Sequence, residues 1–150
     1  MAKGPNAKFS AAKALLKQLK RNSGEDERNE IGGRAETIFN EIFEEVGMLT
    51  EDRASQIDLL MQTSVEFAKA GLDAQRHRAL RRTAQVGYDV LSMANVPISV
   101  QIKLNKILTS VAKSLDNEFD DSKSGEQAYA ALLKPYPVQA DPLGELRLQT

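Results

Sequence analysis

The sequence predicts an all-α fold: a small bundle of four to six amphipathic helices, with a basic N-terminal arm and an extended Pro-containing C-terminal tail. Three observations predict it. Apolar residues recur at steps of three and four over several long stretches, which places them on one helical face. No stretch of any length alternates apolar and polar residues as a half-buried strand would. Gly, Asn and Pro fall between the periodic stretches, where helices stop and start. Three regions follow: a basic arm with a short helix over 1–24, a helical core over 25–121, and a short helix with an extended tail over 122–150.

Residues 1–9, with Gly4 and Pro5, read as a flexible arm. Ser10 is placed to cap a short helix over 11–21 carrying Ala14, Leu15, Leu16 and Leu19. Asn22-Ser23-Gly24 stops it. Gly32-Gly33 should weaken the next helix, so its secure part is expected over 34–46, with a stripe of Ile31, Ala35, Ile38, Phe39, Ile42, Phe43 and Val46. Gly47 ends it.

Thr50-Glu51-Asp52 offers a capping hydroxyl and two acids at the positive end of a helix over 51–70. Its buried face is expected to be Ile57, Leu60, Met61, Val65 and Ala68. Gly71 bends or breaks it, and the periodic stretch with Ala79, Leu80, Val86, Val90, Leu91 and Ala94 either continues the helix or folds back. Pro97 ends that stretch and opens the next helix. This helix, over 98–119, carries Val100, Leu104, Ile107, Leu108, Val111, Leu115 and Phe119; the 34–46, 51–70 and 98–119 helices should form the core. Asp120-Asp121-Ser122 and Ser124-Gly125 close it. A short helix over 126–133 sets Tyr129, Leu132 and Leu133 on one side. Pro135, Pro137 and Pro142 keep 134–150 extended.

A chain of 150 residues suffices for one domain that buries roughly two thirds of its unfolded surface. Core material is thin, however. Aromatics are 5 %, Trp is absent and mean hydropathy is −0.40, which fits a helical protein that completes its core as a homo-oligomer. The absence of Cys excludes disulfides and thiolate metal sites and suits a cytosolic setting. No apolar run reaches the roughly 18 residues of a membrane span. The basic N-terminus lacks an apolar segment, so no secretory signal is expected.

The net charge of −1 conceals a sorted distribution. Residues 1–21 hold Lys3, Lys8, Lys13, Lys17, Lys20 and Arg21 and no acid. Residues 22–52 hold ten acids against two Arg, and Arg76, Arg78, Arg81 and Arg82 follow. Lys-rich arms make salt-sensitive contacts to phosphate backbones, and also serve as solubilising tails. At 100° per residue Arg78, Arg81 and Arg82 share one helix face, suited to bidentate phosphate contacts or to ion pairs with the acidic 36–52 segment of this or another subunit. Phe9 is the one aromatic within the Lys-rich set and none lies among the arginines, which counts against base stacking on single strands.

Groups for catalysis are scarce. One His and no Cys exclude a Cys-His site and any two-His metal site within one chain. His77 lies between Arg76 and Arg78 and reads as a solvated helix residue. Gly32-Gly33 lacks the Lys and Ser/Thr of a phosphate-binding loop. Glu41, Glu44 and Glu45 form a solvated acidic face. No enzyme, metal or cofactor is expected.

One order of motifs carries a resemblance. Met1-Ala2-Lys3-Gly4-Pro5 leads to a Lys-rich segment, then to a helix ending Phe43-Glu44-Glu45-Val46-Gly47-Met48-Leu49-Thr50. Glu51-Asp52-Arg53 opens a helix with Ile57, Leu59-Leu60 and Ala68; Asn95-Val96-Pro97 precedes one with Leu104, Leu108 and Leu115. Over residues 1–120 this resembles the phage terminase small subunits. It departs from them where Val96 separates Asn95 from Pro97, and where Leu115-Asp116-Asn117-Glu118-Phe119 replaces their Leu-Gly-Leu-(Thr/Ser)-Pro ending. The resemblance implies a non-enzymatic viral DNA-packaging adaptor in the cytoplasm of an infected bacterial host. It would form a ring, bind double-stranded DNA and hand it to the large terminase subunit. The residues expected to hold phosphates are then Lys3, Lys8, Lys13, Lys17, Lys20, Arg21, Arg78, Arg81 and Arg82. Tyr136, Leu143, Leu146 and Leu148 of the tail are expected to contact the large subunit, or to strap the protein's own surface. The main alternative is a structural virion component, a capsid, connector or tail-adaptor protein, that uses the charge blocks for subunit pairing. A third is a regulator that binds a host protein.

Overall fold

A computed structural model describes residues 5–21 and 24–133. They form six helices: α1 (Pro5–Arg21), α2 (Glu25–Glu44), α3 (Thr50–Lys69), α4 (Asp73–Leu91), α5 (Ile98–Asn117) and α6 (Ser122–Leu133). The all-α expectation holds. Consecutive helices α1–α2, α3–α4 and α5–α6 pack as hairpins, and α4 also packs on α5 and α6.

The buried side chains divide into two clusters. One joins α4, α5 and α6 to the start of α3, through Ile57, Leu80, Leu104, Leu108, Val111 and Leu115. The other joins α1 and α2 to α3, through Leu15, Leu16, Leu19, Phe39, Leu60 and Phe67. Phe43 packs against both. Helix α3 is therefore buried on two sides, which explains buried polar residues that periodicity passed over. Thr63 Oγ1 donates to the Leu59 carbonyl (2.8 Å) and Ser64 Oγ to Met61 (2.7 Å), so neither donor is left unsatisfied.

Gly71 settles the path of 71–94. It adopts φ +76°, the Gly71 N–H returns to the Ala68 carbonyl and the Leu72 N–H to Phe67. That is a Schellman stop. Helix α4 then folds back on α3.

Several sequence expectations are corrected. Helix α1 starts at Pro5, not 11, so Ser10 lies inside it; proline suits a first helical position because its missing N–H is not needed there. Helix α1 also belongs to the second core cluster. Helix α2 starts at Glu25 and runs through Gly32-Gly33. A Cβ on Gly32 would stand 2.9 Å from Leu72 Cδ1, so close packing explains this glycine. Val46 lies beyond the helix and is 91 % exposed. Leu49, not Thr50, is the cap residue of α3, and no side chain caps it. Val65 and Ala68 face outward while Phe67 is fully buried. Ala94 lies past the end of α4 and is exposed. Helix α5 ends at Asn117, before Phe119. Helix α6 starts at Ser122, not 126. Asp121 caps it, with Oδ1 accepting from the Ser124 amide (3.2 Å). Tyr129 is 40 % exposed.

Candidate phosphate-binding surfaces

Helix α1 turns Ala12, Leu15, Leu16 and Leu19 inward, which leaves Lys13, Lys17 and Lys20 on an exposed stripe at steps of four and three. Packing of α1 on α3, and of α3 on α5, brings that stripe to Lys103. The result is a groove of about 500 Å³. Phe9, Leu16 and Leu59 supply its apolar surface, Ser55, Asp58 and Gln62 line its α3 side, and Lys13, Lys17, Lys20 and Lys103 surround it. Lys13 Nζ stands over the Phe9 ring, 4.7 Å from its centre. Four ammonium groups face one carboxylate there, and none of the four forms an ion pair with a described residue. Lys103 was not anticipated, because its partners in the groove lie at least 41 residues away in sequence.

The remaining predicted basic residues are placed differently. Lys8 is turned to Glu45 (2.7 Å), and that hydrogen bond raises the Lys8 pKa. Arg21 is exposed at the end of α1. Lys3, Tyr136, Leu143, Leu146 and Leu148 lie outside the described residues.

The arginines of α4 form a pocket edge with internal partners. Arg78 clamps Glu36 of α2 bidentately, Nε at 2.6 Å and Nη2 at 2.9 Å. Arg76 clamps Glu118 in the same way at 3.0 and 2.9 Å, which holds the Glu118 carboxyl below its ordinary range. Arg82 lies over the Phe43 ring at 5.7 Å, and its buried Nε has no hydrogen-bond acceptor among the described residues. Arg81 Nε stands 3.8 Å from Asp121. Arg78, Arg81 and Arg82 bound a polar pocket of about 220 Å³ with Gln85, Ser124 and Gln127. The Arg78–Glu36 pair realises one alternative read from the sequence, an ion pair with the acidic segment of the same chain.

His77 is part of a tie between α4 and the α5–α6 turn. Its Nε2 lies 2.8 Å from Asp121 Oδ2, and its ring stacks on Phe119 at 4.5 Å. The hydrogen bond to His77 lowers the Asp121 pKa. Among the described residues no group of three His, Cys, Asp or Glu is arranged to hold a metal. No described helix is long and apolar enough to cross a membrane.

The chain matches no protein-family model, no curated protein and no solved structure.

Proposed function

We propose that this chain is a non-enzymatic adaptor that binds the phosphate backbone of duplex DNA. On the strength of its resemblance to the phage terminase small subunits, it would serve viral DNA packaging as a homo-oligomer in the cytoplasm of an infected bacterium and present DNA to the large terminase subunit. The observation that carries the binding claim is the α1–α3–α5 groove, where Lys13, Lys17, Lys20 and Lys103 converge around the single carboxylate of Asp58. Ammonium groups on flexible stems contact phosphates without reading bases, so they position a duplex and do not select its sequence. The groove is built by the packing of α1 on α3 and of α3 on α5, so the site depends on the folded bundle.

A structural virion role is the second reading. It draws on exposed apolar residues, Val46 (91 %) and Leu49 (66 %) between α2 and α3 and Ile98 (61 %) and Ile102 (52 %) one turn apart on α5. These are the kind of side chains that subunit contacts cover.

Fluorescence anisotropy of a labelled duplex over a range of salt concentrations tests the first reading. Each phosphate contact contributes about 0.9 to the slope of log affinity against log salt. The variant Lys17→Gln/Lys20→Gln/Lys103→Gln should therefore lower the slope by up to about 2.7. Equal affinity and slope in the variant and the unsubstituted chain would remove the groove from the DNA-binding account.

A further inference from the structure

We infer that the pocket bounded by Arg78, Arg81, Arg82, Gln85, Ser124 and Gln127 is a binding site for one compact tetrahedral oxyanion, inorganic phosphate or the terminal group of a phosphomonoester. Its volume of about 220 Å³ accepts a single phosphate group and is too small for a duplex to enter. The lysine groove lies on other helices, so this site stands or falls independently of the duplex reading.

Three guanidiniums bound the pocket, and their own carboxylates do not use them up. Glu36 takes Arg78 Nε and Nη2, which leaves the Nη1 hydrogens outside that pair. Asp121 is engaged by His77 Nε2 at 2.8 Å and by the Ser124 amide at 3.2 Å, and its 3.8 Å from Arg81 Nε exceeds hydrogen-bond length. Arg82 Nε is buried and has no acceptor among the described residues. Three positive charges set against Glu36 and Asp121 leave one in excess. Buried donors without acceptors are uncommon in folded proteins, and an unfilled ligand position is one cause. The side-chain amides of Gln85 and Gln127 fit the same ligand, because they donate hydrogen bonds without adding charge, while the Ser124 hydroxyl is already engaged by Asp121. A planar guanidinium matches two oxygens of a phosphate, which a lysine cannot do, so the choice of arginine at all three positions is consistent with a shaped anion site. At the start of α6, the Ser124 amide is held by Asp121 Oδ1 and the Gly125 amide by the Asp121 carbonyl, so the site rests on the side chains.

A heteronuclear NMR titration of the full chain with sodium phosphate, at ionic strength held constant with chloride, tests the site. Saturable shifts should be confined to the amides of Gln85, Ser124 and Gln127 and the Nε groups of Arg81 and Arg82. Phenyl phosphate, run in parallel, should move the same signals; tighter binding than phosphate assigns the site to a monoester, and weaker binding to the free ion. Arg81→Gln, at a side chain 58 % exposed and thus safe for folding, should weaken phosphate about tenfold or more, the loss of one charge-assisted contact. Arg82→Gln should do the same, and Lys17→Gln should have no effect. Shifts that fail to saturate, that spread to Lys13, Lys17 and Lys20, or that survive unchanged in Arg81→Gln overturn the inference. So does a response to a duplex oligonucleotide alone.

Discussion

Replacing Arg53 with alanine should loosen the bundle at the joint between its two cores. Arg53 sits in the first turn of α3 and is only 7 % exposed. Its Nη1 donates to the Ile42 carbonyl at 2.7 Å and to Gln56 Oε1 at 2.9 Å, while Nη2 reaches the carbonyls of Phe43 and Glu45. The last carbonyls of a helix have no partner within it, so this guanidinium closes the end of α2. Burial lowers the Arg53 pKa and Glu45 opposes that shift, yet an arginine stays charged at any pH the fold survives. The two Nη1 bonds are each worth about 1.5–3 kcal/mol as hydrogen bonds to a charged group. Water reaches the half-exposed end of the joint and recovers part of the loss, so Arg53→Ala should cost about 3–4 kcal/mol. At 2–4 °C per kcal/mol for a chain of this size, the melting temperature should fall by roughly 6–16 °C. Lysine at this position keeps the charge but not the fork, and should lose about half as much. Thermal unfolding followed by far-ultraviolet circular dichroism measures both. A Tm for Arg53→Ala within about 3 °C of the unsubstituted chain would refute the clamp.

Two glycines make a matched pair. Gly33→Ala meets nothing within 4 Å and should raise stability by about 0.5–1 kcal/mol through helix propensity. Gly87→Ala would set a methyl 2.8 to 3.2 Å from three atoms of fully buried Leu108, so its overpacking cost of about 1–3 kcal/mol should erase that gain and lower Tm. Acid should also act through the α4 tie. His77 holds the Asp121 carboxyl below its ordinary 3.8, and Arg76 holds Glu118 below 4.5. Folded values below unfolded ones mean that this stabilisation is complete above about pH 4.5 and drains away as pH falls through the depressed values. Asp121→Asn with Glu118→Gln should lower Tm at neutral pH and flatten its decline in acid; an unchanged acid decline would count against the tie.

The helices themselves were largely legible. Helix α5 reads directly from Val100, Leu104, Leu108, Val111 and Leu115, all buried, because one face meets one core. Helix α3 does not, because a helix buried on two sides breaks the single-stripe pattern and admits Arg53, Gln56 and Thr63 to the interior. The start of α2 is hidden from propensity, which counts Gly32 as a helix breaker, whereas its absent side chain makes room for Leu72. The start of α1 carried its own sign in Pro5. The candidate sites were half legible. Lys13, Lys17 and Lys20 are neighbours by helical spacing, but Lys103 joins them only through tertiary packing. Likewise helical geometry set Arg78, Arg81 and Arg82 on one face, but nothing local says that Glu36 waits across from Arg78.

The lysine groove straddles the two clusters: α1 belongs to one, and Lys103 rides on α5 of the other. A strand of phosphates bound there, as proposed, would therefore staple the α1–α2 hairpin to the rest of the molecule. Under the proposed DNA-binding role, opening of that hairpin would require release of the ligand, so bound phosphate would stabilise the closed bundle in proportion to its affinity.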